Sequence, residues 1–93
     1  MLTKVMASEL AGNGVRVNAI CPGFVETDLL KDAARKFGLE YPDFIERNVK
    51  PRVAMQRAIQ PEEIAHLAVY LASGESDGMT GQSVVLDGGM IFV

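Results

Sequence analysis

Two short β-forming segments, residues 15–21 and 83–86, are joined through an amphipathic helix at residues 61–72, and this order constrains the fold most. Strands connected through a helix pair in parallel, with a right-handed crossover. Parallel strands need cover on both faces, yet the 93-residue chain carries only two of them. Independently of any relative, the pattern predicts α/β architecture: part of a doubly wound parallel sheet in the order helix–strand–helices–helix–strand.

In the first segment Val15, Val17, Ala19 and Cys21 alternate with Arg16, Asn18 and Ile20, and Pro22-Gly23 ends the strand. Residues 1–11 read as a helix with Met1, Leu2, Val5, Met6 and Leu10 on one face, stopped by Gly12-Asn13-Gly14. No capping residue precedes Met1, and a longer chain upstream is expected. Beyond Gly23 lies a long excursion with two helical stretches. Thr27 is the N-cap of the first, Asp28 favours its first turn, and Leu29, Leu30, Ala33, Ala34 and Phe37 repeat at helical spacing before Gly38 closes it. Pro42 opens the second, which carries Phe44, Ile45 and Val49 and ends at Pro51. Pro61, Glu62 and Glu63 start the clearest helix. Ile64, Leu67, Ala68 and Leu71 form its stripe, and Ala65, Val69 and Ala72 extend it, so this helix is expected to be largely buried. Asp87-Gly88-Gly89 then turns away from the second strand.

Composition excludes several function classes. A net charge of −3, with the basic residues scattered, argues against nucleic acid as a partner. No run has the apolar length of a membrane span. The single cysteine, Cys21, forms no internal disulfide and reads as a small buried hydrophobe; together with the single histidine, His66, it makes no metal site. A cytoplasmic location is the default expectation. The apolar tail Met90, Ile91, Phe92 and Val93 is expected to dock on a neighbouring subunit.

In open parallel sheets ligands bind beyond the carboxyl ends of the strands. The end here is Cys21-Pro22-Gly23, followed by a loop of the length that lids and binding elements have. Pro22 fixes the exit direction, and Gly23 lets a planar ligand approach the backbone. Thr27 offers a hydroxyl and a helix N-terminus, either of which suits a carboxamide or phosphate oxygen.

Three motifs, RVNAICPGFVET, QPEEIAHLAVYLAS and MTGQSVVLDGG, in this order and spacing, resemble the C-terminal part of the short-chain dehydrogenase/reductase family. The resemblance runs from Met1 to about Gly89. It implies that residues 1–93 are the C-terminal fragment of one NAD(P)-binding Rossmann-fold domain, with residues 28–50 as a substrate-binding lid. It implies Asn18 as a structural strand residue and Pro22-Gly23 as the wall beside the nicotinamide. Backbone groups near Val25 would hold the carboxamide, and the Thr27 hydroxyl would meet the carboxamide or the pyrophosphate. NAD and NADP stay equally open. The family's glycine-rich turn, catalytic Ser and Tyr-x-x-x-Lys are absent, and neither Tyr41 nor Tyr70 has a Lys four residues on, so no catalytic residue is assigned.

The resemblance thus implies part of an oxidoreductase that moves a hydride between nicotinamide and a small-molecule carbonyl or alcohol. The chain by itself is expected to be inactive, and the family's assembly implies a homo-oligomer. The alternative is a non-catalytic remnant that associates through the 1–10 and 61–72 helices.

Overall fold

The computed structural model describes residues 1–90 of the chain; of the apolar tail, residues 91–93 lie outside the described residues. Helix α1 (Leu2–Leu10) continues into a 3-10 turn, Ala11–Asn13, and Gly14 stops it with φ of 75°. Strand β1 (Ala19–Pro22) follows, then α2 (Asp28–Lys36), α3 (Tyr41–Phe44), α4 (Pro61–Ala72) and β2 (Ser83–Leu86). β1 and β2 pair in parallel with Ala19 opposite Ser83 and Pro22 opposite Leu86, so the expected parallel α/β arrangement is present.

The ladder is displaced from the expected strand. Residues 15–18 pair with loop groups instead: the Val17 N–H donates to Thr80 Oγ1 at 3.1 Å, and the Gly81 N–H donates to the Val17 carbonyl at 2.7 Å. Pro22 stays in register because the next donor along, Gly23 N–H, reaches the Leu86 carbonyl at 3.2 Å.

Helix α2 begins and ends where its caps dictate. Thr27 caps the N-terminus, and Gly38, at φ of 70°, lets the Gly38 and Leu39 amides turn back onto Arg35 and Ala34 carbonyls. The next helical stretch opens at Tyr41, one residue before Pro42, and does not stop at Pro51. It widens into a π turn, Ile45–Val49, and closes with a 3-10 turn, Lys50–Arg52. A regular α-turn there would set the Pro51 ring against the Arg47 carbonyl, and the change of pitch avoids this.

The principal core lies in this helical lobe. Ala34, Phe44, Val49 and Val53 form a buried cluster with Phe24, Leu30, Ala33, Leu39, Tyr41 and Ile45 packed around it. The Phe37 and Phe44 rings stack with centroids 5.9 Å apart. On the sheet side the expectations are corrected. α4 has no buried residue, and Val69 is 68% exposed. Cys21 is exposed as well, and so is Val85 opposite it. A two-stranded sheet offers too little area to cover a helix or its own outer face. The Cα radius of gyration, 16.3 Å, exceeds the roughly 12 Å of a compact globule of this length.

Candidate functional site

Beyond β1 the backbone stays extended and pairs side by side with residue 59. The Ile59 N–H donates to the Phe24 carbonyl at 2.7 Å, and the Glu26 N–H donates to the Ile59 carbonyl at 2.8 Å. A parallel bridge of this kind uses the residues flanking Val25, so Val25's own amide faces away from the ladder. Its N–H makes no hydrogen bond among the described residues, and its carbonyl accepts only the Thr27 hydroxyl, at 3.4 Å. Thr27 is held as loosely on its other side, where Oγ1 accepts from the Leu30 N–H at 3.5 Å. Contacts at that limit are weak and exchange readily for better ones.

These groups open onto a cleft of about 550 Å³. Gly23, Val25 and Thr27 line it, with Phe24, Leu29, Leu30, Ala33 and Ile64 supplying apolar walls and Asp32 and Lys36 the only charges. Of the four residues expected at the cofactor, Pro22 is exposed and lies outside this lining. Gly23 has a reason to be glycine that its position in sequence does not reveal. A Cβ there would stand 2.7 Å from the Asp87 Cβ, so the missing side chain accommodates the end of β2.

Two polar residues of the 15–18 segment fix the wall from behind. The Arg16 guanidinium donates to the carbonyls of Leu71, Ser73, Ser76 and Met79 and to Ser76 Oγ, at 2.9–3.2 Å, which gathers the C-terminus of α4 onto the strand. Asn18 receives the Gln82 N–H on Oδ1 and donates from Nδ2 to the Met79 carbonyl, the structural role expected of it. The Arg16 clamp was not anticipated; its only sequence signal is the single charged residue among residues 15–21.

Near Glu26 the Tyr41 hydroxyl is buried and makes no hydrogen bond among the described residues. Burial, and secondarily the charge of Glu26, push it up to about 12. A phenol in that state neither donates nor accepts a proton near neutrality. Arg57 grips Glu63 with two bonds, at 3.0 and 2.8 Å, while the Gln60 N–H donates to the same carboxylate. Chiefly through Arg57, the Glu63 carboxyl is lowered to about 2. Among the described residues no cluster of His, Cys, Asp and Glu is placed to hold a metal, and no helix is long and apolar enough to cross a membrane.

The described geometry has counterparts elsewhere. A family model described as enoyl-(acyl carrier protein) reductase matches residues 1–91. The uncharacterized oxidoreductase YxjF of Bacillus subtilis is 46% identical over 92 residues, covering 95% of this chain and 36% of that protein. The 3-oxoacyl-[acyl-carrier-protein] reductase FabG of Thermotoga maritima is 38% identical over 91 residues, covering 98% and 34%. The L-sorbose reductase of Gluconobacter frateurii, solved with NADPH and L-sorbose, superposes with a TM-score of 0.85 at 27% identity, over 100% of this chain and 37% of that one. The chain therefore spans about a third of the length of the curated relatives it matches.

Proposed function

Because the chain belongs to the short-chain dehydrogenase/reductase family of oxidoreductases, we propose that its cleft is the nicotinamide edge of an NAD(P)-dependent dehydrogenase or reductase acting on a small carbonyl or alcohol. The observation that carries this is the free amide edge of Val25. A carboxamide has one donor face and one acceptor face, and the unpaired N–H and nearly free carbonyl of one extended residue complement both. The Thr27 hydroxyl, held only by contacts of 3.4 and 3.5 Å, is available to the same ligand. Gly23 and Phe24 complete the wall, the 28–50 lobe serves as the lid, and apolar side chains exclude water. When bound, the nicotinamide supplies or accepts the hydride.

The residues around the cleft bind and orient but transfer no proton. Asp32 is paired with Arg35, and Lys36, the other charged residue on the cleft, lies about 14 Å along α2 from Thr27. The 93-residue chain by itself is therefore inactive. NAD and NADP are both compatible with these residues. Exposed Val69 and Val85 favour a companion role, association with further copies, which the homo-oligomer reading requires.

The test is a chimera in which residues 1–93 replace the matching segment of the Thermotoga maritima reductase. Val25→Pro removes the N–H without disturbing the ladder, because that N–H is not part of it. It is expected to lower nicotinamide-dependent turnover roughly tenfold to a hundredfold, the loss of one buried hydrogen bond, while Val25→Ala stays near the parent. Equal rates for the two variants would overturn the assignment. Turnover by the isolated chain with NADH or NADPH would overturn its inactivity.

A further inference from the structure

The cleft has two unlike ends. At one lie the Thr27 hydroxyl and the Val25 amide; at the other lies Lys36, the last residue of α2. With a rise of 1.5 Å per residue, the helix sets them about 14 Å apart along its axis. Between them the wall is apolar, with Phe24, Leu29, Leu30, Ala33 and Ile64, apart from Asp32 one turn before Lys36.

Lys36 forms no ion pair among the described residues. Asp32, the other charged residue on the cleft, is bound at 2.7 Å by Arg35. The remaining ion pairs among the described residues are Lys50–Glu46 and Arg57–Glu63, so Lys36 has no acidic partner there. An ammonium at the rim of apolar surface attracts an anion, and most strongly one whose body covers that surface. A neutral apolar chain would gain the wall but not the charge. A small anion would gain the charge but not the wall.

We propose that the substrate of this cleft is an amphiphilic carbonyl compound or alcohol, with an apolar chain that lies along α2 and an anionic end that pairs with Lys36. This rests on the reading of the cleft as the nicotinamide side of the site. Lys36 is then a specificity residue that selects charge at the end remote from the reacting carbon.

Calorimetric titration of the 93-residue chain at low ionic strength tests this with three probes of equal chain length: decanoate, decyl phosphate and decanol. One or both anions should bind roughly two- to fivefold more tightly than decanol, the upper part of the range for one solvent-accessible ion pair. The stronger anion identifies the head group. Lys36→Met should reduce both anions to the level of decanol, Lys36→Arg should retain the preference, and Val69→Ser on the exposed face of α4 should leave it unchanged. Decanol binding as tightly as both anions, an anion preference that survives Lys36→Met, or no binding of any probe would overturn the proposal. None of these readouts involves nicotinamide, so failure here is distinct from failure of the Val25→Pro test.

Discussion

The helical lobe and the sheet side of this chain solve the burial problem in opposite ways. In the lobe, residues close in sequence bury one another: Ala34, Phe44, Val49 and Val53 are each no more than 4% exposed. On the sheet side α4 and β2 keep apolar residues in the open, with Val85 62% exposed. The lobe folds back on itself, so its core closes with short loops at small entropic cost. The sheet side is arranged as a layer that buries its faces only against further surface. What holds the sheet side together within the chain is polar, namely Arg16, Asn18 and the paired backbones.

The sharpest way to break this comparison is truncation on each side. Phe44→Ala should cost about 3–5 kcal/mol, whereas Val85→Ala should stay within about 0.5 kcal/mol. Urea melts followed by circular dichroism measure both, and similar losses would erase the contrast. Arg16→Met comes next. It takes a charged donor from four carbonyls that each keep at least one other donor, and should cost about 1.5–3 kcal/mol. Arg16→Lys should recover less than half of that, since one ammonium cannot span positions held by a planar fork. Full recovery by lysine would reduce the clamp to a simple charge.

Thr27→Ala should cost about 0.5–1 kcal/mol, at the lower end because the cap bond is 3.5 Å long. Hydrogen exchange of the first α2 amides reads it, and Thr27→Ser should restore protection. The smallest effect is on pH. The Glu63 carboxyl is held near 2, below its ordinary 4.5, first by the Arg57 hydrogen bonds. A depressed carboxylate contributes stability that is complete above 4.5 and is lost as pH falls toward 2. Glu63→Gln should flatten the melting temperature across that window, and an unchanged slope would show that the pair contributes nothing at this exposed position.

Much of this was legible in the chain itself. Pro61 with Glu62-Glu63, the Thr27 cap and the Gly38 stop are local signals, and the helices begin and end at or beside them. The parallel pairing of β1 with β2 followed from the intervening helix. The position of the core did not follow. Periodicity reports that a face is apolar, not whether anything covers it, and so α4 and Cys21 were expected to be buried and are exposed. At the candidate site, Gly23, Val25 and Thr27, close in sequence, line one cleft. The pairing with Ile59 that frees the Val25 amide was hidden, because one bridge between segments far apart in sequence leaves no periodic trace. The unmet Tyr41 hydroxyl was invisible for the same reason.

Position 23 carries a constraint that reaches beyond any ligand. Since a Cβ there would meet Asp87, the wall of the cleft and the turn after β2 are one mechanical piece. That turn is in turn gripped by residues 54 and 55, whose amides donate to the Gly89 and Gly88 carbonyls. Any lineage that changes residue 23 must first reshape residue 87, so the freedom to vary the backbone of the cleft wall is granted or withheld more than sixty residues along the chain.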